Sequence, residues 1–148
     1  MSSKREQRHV KNPGKKGFLP QVAALPFRID EKGQVEVLLI TTRRTKRYIF
    51  PKGWRMRGRS DAEAAAQEAR EEAGVIGTVS KHPIGQYYYW KELTRVSIKI
   101  RVSVYTLAVS EQLLQWPERD QRSRIWVHPD RAAAMISDSA LIPLIKEL

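Results

Sequence analysis

Three glutamates, Glu68, Glu71 and Glu72, stand close together in a segment rich in helix-forming residues. On a helix of about 3.6 residues per turn, Glu68 and Glu72 are one turn apart and Glu71 lies on the same side. Like charges one turn apart cost an isolated helix roughly 0.2–0.5 kcal/mol per pair, so a partner that offsets this cost is expected. A divalent cation is one such partner, and a set of oxygen ligands favours Mg²⁺ or Mn²⁺. The alternative, a solvated acidic face on a surface helix, stays open from the helix alone.

The sequence around the glutamates carries a longer pattern, GWRMRGRSDAEAAAQEAREEAGV, over residues 53–75. This pattern resembles the Nudix box, which has a glycine, spaced glutamates and a closing glycine followed by an aliphatic residue. The positions of the box that match are Gly53, Glu68, Glu71, Glu72, Gly74 and Val75. The resemblance implies a pyrophosphate-cleaving hydrolase. In it Glu68 and Glu72 would bind Mg²⁺, and Glu71 would be a further ligand or the base for water.

Two positions depart from the box. Arg59 stands where the box has its first glutamate, and Gln67 stands where it has its arginine. In the family, that arginine helps to hold the catalytic glutamates and the first glutamate supports the site. Gln67 can still donate hydrogen bonds, although it carries no charge. Asp61 and Glu63 are the candidates for supplying the missing carboxylate.

Basic residues lead directly into the predicted helix. Residues 43–59 contain eight lysines and arginines and no acidic residue. A polyphosphate substrate requires such cations around its binding site. We therefore predict substrate contacts from Arg43, Lys52 and Arg55. Arg122 and Arg124, which lie beyond this run, are further candidates for contact with the substrate. The alternative is an ordinary solvated basic loop.

The flanking segments also resemble one subgroup of the family. Residues 43–54 and 116–126 are similar to Nudix proteins that hydrolyse diadenosine polyphosphates and diphosphoinositol polyphosphates. The similarity covers about residues 17–135. The compact single-domain form and the sequence Pro51–Trp54 resemble bacterial members.

The order of predicted elements is strands, helix, strands and then helices. Ser60 and Glu63 predict a capping box at the start of the first helix, and Gly74 predicts its end. This order indicates an α/β protein of the α+β type, with a mixed sheet and flanking helices. The resemblance implies the α/β/α sandwich of Nudix domains. We expect one domain over residues 17–148, preceded by a flexible basic arm over residues 1–16.

The composition excludes several classes of protein. The chain of 148 residues has no cysteine, so disulfide scaffolds, thiolate metal sites and cysteine nucleophiles are excluded. No apolar run approaches the ~18 residues of a membrane span, and no secretory signal is apparent, so a cytoplasmic protein is expected. The 27 lysines and arginines against 16 acidic residues give a net charge of +11. Such an excess predicts attraction to anions, although solubility alone is the alternative.

The leading hypothesis is a Mg²⁺-dependent pyrophosphohydrolase acting on a highly anionic small molecule. Diadenosine polyphosphates and diphosphoinositol polyphosphates are the expected substrates. One alternative removes pyrophosphate from the 5′ end of RNA, with nucleic acid as the partner. The other is a Nudix-fold binding protein that has lost catalysis. The chain is expected to be a monomer or a homodimer.

Overall fold

A single mixed sheet forms the centre of the computed structural model, which describes residues 17–148. Its eight strands are Leu19–Ile29 (β1), Val35–Thr41 (β2), Tyr48–Ile49 (β3), Lys52–Trp54 (β4), Val75–Val79 (β5), Gly85–Glu92 (β6), Ser97–Gln112 (β7) and Arg124–Val127 (β8). The helices are Asp61–Glu68 (α1), Pro129–Met135 (α2) and Ile142–Lys146 (α3), with a π-helical turn at Ala69–Ala73 and a 3₁₀ turn at Ser139–Leu141. The predicted basic arm, residues 1–16, lies outside the described residues.

The sheet runs in the order β3-β2-β1-β7-β5, with β4 on β1, β6 on β7 and β8 on β2. β1 and β7 are parallel, and every other named pair is antiparallel. α1 packs on one face, whereas α2 and α3 pack on the other. The predicted α+β architecture, a mixed sheet with flanking helices, is therefore confirmed.

Strand β1 carries the core because both of its faces are covered. Val22 and Ala24 pack with α1, and Ala23 and Leu25 pack with α2 and α3. Successive side chains of a strand point to opposite faces, so a doubly covered strand has a continuous buried run. Among the described residues, no helix is long and apolar enough to cross a membrane.

The start and end of the first helix agree with the sequence. The Ser60 hydroxyl accepts from the Glu63 N–H at 3.1 Å, and the Glu63 carboxylate accepts from the Ser60 N–H at 3.0 Å. Gly74 ends the segment with a φ of 66°. The interior differs, because α1 stops at Glu68 and the chain continues as the π-helical turn. Such turns carry one more residue than a helical turn and are common at functional sites.

Two further elements differ from expectation. The sequence predicts that the chain stops being extended at Pro51, but Lys52–Trp54 pairs antiparallel with β1 as β4. A single last helix is predicted over residues 139–148. The chain instead forms the 3₁₀ turn and then α3, because Pro143 occupies the first turn of the α-helix.

We expect Gly74→Ala to lower the free energy of unfolding more than Gly33→Ala does. Both glycines have positive φ, which costs other residues about 1–2 kcal/mol. At Gly74 an added Cβ would lie 2.4 Å from Cδ2 of Trp116, whereas at Gly33 nothing lies within 4 Å. Urea unfolding of both variants measures the difference. Equal losses would mean that Trp116 does not pack on Gly74.

Candidate active site

The junction of α1 and the π-helical turn positions the three predicted glutamates. Glu68 is the last residue of α1, and its relative exposure is 3%. Glu72 lies in the turn and is 7% exposed, whereas Glu71 is half-buried. A solvated acidic face therefore does not describe Glu68 and Glu72. Buried carboxylates need charge or hydrogen-bond partners, because leaving water disfavours their ionised form.

The backbone of β4 closes tightly over these carboxylates. A Cβ on Gly53 would lie 2.4 Å from Oε1 of Glu68, so only glycine leaves the carboxylate its place. The next residue back, Lys52, donates its backbone N–H to Oε1 of Glu72 at 3.3 Å. The strand that the sequence did not predict thus lies against both buried glutamates.

The pKa of Glu72 is raised well above its ordinary value. Burial is the largest cause, followed by the charge of Glu68 and the hydrogen bond between the two carboxyl groups. The Arg122 guanidinium, 4.0 Å from Oε1 of Glu72, acts in the opposite direction. Two close, buried carboxyl groups, one of them with a raised pKa, fit a divalent cation, which takes hard oxygen ligands.

A cavity of about 270 Å³ opens beside the glutamates. All three line it together with four cationic side chains, those of Arg43, Lys52, Lys91 and Arg122. The Nζ atom of Lys52 lies 4.9 Å from the ring centroid of Tyr89. The cleft therefore combines a buried acidic pair with a cationic surround.

Arg122 is held in place by several contacts. Its Nε donates to Glu118 at 2.8 Å, and its Nη1 donates to the Thr41 carbonyl at 3.1 Å. The backbone N–H of Glu118 in turn donates to the Glu71 carbonyl at 3.1 Å. Arg122 thereby ties the loop after β7 to the end of the glutamate segment and to β2.

A family model for the NUDIX domain matches residues 19–147. The chain belongs to the Nudix family. This membership confirms the predicted resemblance to the Nudix family, and the mixed sheet with flanking helices is the fold expected for it.

Curated relatives agree with this membership. The chain is 35% identical over 130 residues to Nudix hydrolase 17, mitochondrial, of Arabidopsis thaliana. This alignment covers 83% of this chain and 69% of the relative. It is 33% identical over 123 residues to Nudix hydrolase 4 of the same plant, covering 78% of this chain and 58% of the relative. For Nudix hydrolase 13, mitochondrial, the share of the relative is 54%. The chain thus spans about half to two thirds of the length of these relatives.

Solved structures share the fold at low identity. A C. elegans Ap4A hydrolase, described as a binary complex, aligns with a TM-score of 0.63 and 17% identity, covering 87% of this chain and 93% of that one. The NUDIX domain of Shewanella oneidensis NrtR, complexed with ADP ribose, aligns with a TM-score of 0.67 and 18% identity, covering 99% and 98%.

The two departures from the Nudix box contact each other. Nη1 of Arg59 donates to Oε1 of Gln67 at 3.2 Å, and Nε2 of Gln67 donates to Oε1 of Glu71 at 2.9 Å. We call this chain of three residues the Arg59 relay. It supplies Glu71 with a donor at the position where the box has its arginine.

Neither candidate for the missing carboxylate lines the cleft. Asp61 accepts from Nε of Arg55 at 2.9 Å, and Glu63 is engaged in the capping box. Arg55 itself lies outside the cleft with Asp61, so this geometry lends no support to its predicted contact with substrate.

Arg124 also lies away from the lining residues. Its guanidinium donates to the carbonyls of Ala73, Gly74 and Leu113 at 2.9, 3.2 and 3.0 Å. It also stacks 4.0 Å from the ring centroid of Trp116. The last carbonyls of a helix need such donors. Here Arg124 fixes the end of the glutamate segment, and the geometry lends no support to a contact with substrate.

Sequence reasoning did not select Gln21, Lys91 or Glu118, which line the cleft. Gln21 accepts from the Tyr89 hydroxyl at 2.7 Å. The alternation of β6 was a usable signal for Lys91, because Tyr87 and Tyr89 share its face. Gln21 gave no comparable signal inside an apolar strand.

A second group of candidate metal ligands lies away from the cleft, where Asp30, Glu36 and His128 bring one ligand atom each within 4.8 Å. Their atoms already have partners. His128 bonds to Asp30 at 2.9 Å, and Arg28 bonds to Glu36 at 2.9 Å. The hydrogen bond to His128 is the largest cause that lowers the pKa of Asp30. The sequence offered no spacing that predicts this group.

We expect the metal-free protein to lose stability as the pH rises. Unfolded Glu72 has its ordinary pKa of 4.5, and the folded value is higher. The folded state therefore binds the proton more tightly, so the free energy of unfolding falls as the pH rises above 4.5 towards the folded value. Glu72→Gln cannot titrate, so this fall is smaller in the variant.

Urea unfolding in EDTA, between about pH 5 and 8, measures this difference. Glu31→Gln, which changes an exposed turn glutamate, is the matched control and keeps the wild-type slope. Identical pH dependence in wild type and Glu72→Gln would contradict the tight burial of Glu72.

Proposed function

We propose that this Nudix protein hydrolyses a phosphoanhydride bond in a highly anionic small molecule, in a reaction that depends on Mg²⁺, with Mn²⁺ as a substitute. One observation carries the proposal. The buried pair of Glu68 and Glu72 faces the same cavity as four cationic side chains. A bound polyphosphate can meet both its counter-charges and its catalytic groups only where these two sets converge.

The cation would be held by Glu68 and Glu72, with Glu71 as a further ligand or as the base. When bound, it neutralises charge on the pyrophosphate oxygens and lowers the pKa of a water. The Glu71 carboxylate accepts from Nε2 of Gln67 at 2.9 Å, a contact that would hold it in place as the base for that water. The geometry thus supports a separation of roles, with the buried pair for the metal and the half-buried Glu71 for the proton.

The cationic residues would bind and orient the substrate. Arg43 is exposed at the rim, where its Nη1 donates to Gln121 at 3.3 Å, so it is placed to meet a phosphate that extends out of the cleft. Arg122 lies deeper, with its guanidinium beside Glu72, and Nζ of Lys52 lies over the Tyr89 ring. Cations at the rim and deeper in the cleft can each contact a different phosphate. The arrangement therefore favours a substrate with several consecutive phosphates over one with a single phosphate.

Diadenosine polyphosphates and diphosphoinositol polyphosphates are the substrate classes that we propose. The resemblance of residues 43–54 and 116–126 to that subgroup supports them, and the fold is shared with a protein described as an Ap4A hydrolase. The NrtR domain, described with ADP ribose, shows the same fold with another pyrophosphate compound. We keep the cytoplasm as the proposed location, whereas several of the plant relatives are named mitochondrial.

A phosphate-release screen in Mg²⁺ and in EDTA tests the proposal. The panel contains diadenosine tetra-, penta- and hexaphosphate, a diphosphoinositol polyphosphate, nucleoside triphosphates, ADP-ribose and 5′-triphosphate RNA. We expect turnover of one of the first two classes in Mg²⁺ only. Glu72→Gln should lower it by at least about a hundredfold because the buried pair is broken, whereas Glu31→Gln should not.

Preferred turnover of the RNA would instead identify an RNA 5′-pyrophosphohydrolase. A folded protein that binds these compounds without cleaving them would identify a binding protein. Unchanged turnover in Glu72→Gln would remove the metal-site assignment.

We expect Gln67→Ala to lower kcat about tenfold with little change in KM, because Glu71 loses the donor that orients it. The double variant Arg59→Glu, Gln67→Arg restores the arrangement of the Nudix box and should retain activity. Steady-state kinetics on the substrate found by the screen measures both. Full activity in Gln67→Ala would show that Glu71 does not depend on the Arg59 relay.

A further inference from the structure

The outer face of β6 presents aromatic rings to solvent. Tyr88 is 47% exposed and Trp90 is 62% exposed, although tryptophan is one of the largest apolar side chains. Tyr87 and Tyr89, which alternate with them along the strand, point to the opposite face and into the core cluster. The exposed rings thus belong to a surface that is separate from the cleft.

Cations stand directly beside these rings. Arg101 is the cross-strand partner of Tyr88, and Lys99 is the partner of Trp90. Nζ of Lys99 lies 5.0 Å from the Tyr88 ring centroid. Directly opposite residues of an antiparallel pair share one face, so the rings and cations form one continuous surface.

Phe18 extends this surface towards β1. Its ring meets Tyr88 edge to face, with centroids 5.8 Å apart and planes inclined at 74°. Cζ of Arg101 lies 4.3 Å from the Phe18 centroid. We call Phe18, Tyr88, Trp90, Lys99 and Arg101 the aromatic platform.

We propose that the aromatic platform binds single-stranded nucleic acid. Surfaces that bind single strands combine aromatic rings, on which bases stack, with cations that contact the phosphates. Tyr88 and Trp90, two residues apart on a strand, are separated by about 6.7 Å, twice the ~3.4 Å rise per nucleotide of a duplex strand. Each ring can therefore stack on its own base of an extended strand.

The charge of the chain favours nucleic acid over two other occupants of the platform, the chain's own residues 1–16 and an acidic protein. The net charge of +11 attracts a polyanion. The chain's own residues 1–16 carry six lysines and arginines and one glutamate, so Lys99 and Arg101 repel that segment. An acidic protein would satisfy the cations but would not need two open rings at this spacing.

The test measures binding of a 3′-fluorescein 12-mer of oligouridylate with a 5′-hydroxyl, in EDTA, by fluorescence anisotropy with the full chain. The 5′-hydroxyl and EDTA keep the proposed hydrolase site out of the measurement, so the two proposals fail independently. We expect Trp90→Ala and Tyr88→Ala each to weaken binding at least about fivefold, as loss of a base stack predicts. Trp90→Phe keeps a ring and should retain most of the affinity.

The matched control is Leu114→Ala, which removes a side chain that is 84% exposed outside the platform and should leave binding unchanged. A 12-base-pair RNA duplex provides a second control, because its bases are stacked internally and cannot reach the rings. We expect Trp90→Ala to leave binding of the duplex unchanged.

The cations are tested by the salt dependence of binding. Removing one phosphate contact to a single strand lowers the slope of log K against log salt by about 0.7. We expect this change for Lys99→Gln and not for Lys32→Gln, which lies in the turn after β1. The proposal would be overturned if the 12-mer did not bind, or if the platform and control substitutions had equal effects. An acidic protein would then be the remaining candidate partner for this face.

Discussion

The burial of two neighbouring carboxyl groups, those of Glu68 and Glu72, is the constraint on which the site depends. Ionised carboxylates lose solvation when they are buried, and each repels the other. The raised pKa of Glu72 expresses both effects. A fold selected for stability alone would not keep this pair, because the pair favours the folded state only when a cation or a proton is bound. Other groups around the two carboxyl groups reduce the free-energy cost of burying them.

Backbone atoms as well as side chains accommodate the two buried carboxyl groups. Gly53 leaves space for the Glu68 carboxylate, and the N–H of Lys52 reaches Glu72. The π-helical turn adds a residue before Gly74, whose carbonyl, like that of Ala73, is capped by Arg124. A backbone donor fixed in a sheet needs no reorganisation when the charge of the carboxyl group beside it changes.

The sequence predicts those features that depend on residues close together along the chain, and it does not predict those that depend on distant parts of the chain. The Ser60–Glu63 capping box and the end at Gly74 depend on residues within one turn, and both were predicted correctly. β4 could not be predicted, because three residues carry no period and their pairing with β1 is a tertiary event. The three glutamates could be named from their spacing. Gln21 lines the cleft only through the register of distant strands, which no local pattern encodes.

The Arg59 relay shows how a site can accept a change in its own box. Where the box has a glutamate and an arginine, this chain has an arginine and a glutamine, so the side chains still meet with donor and acceptor roles rearranged. A guanidinium that donated directly to Glu71 would bring a full positive charge to that carboxylate. Gln67 orients the same oxygen with a neutral amide and leaves the positive charge of Arg59 one residue further away. The hydrogen bond to Glu71 is therefore preserved, although the side chain that donates it carries no charge.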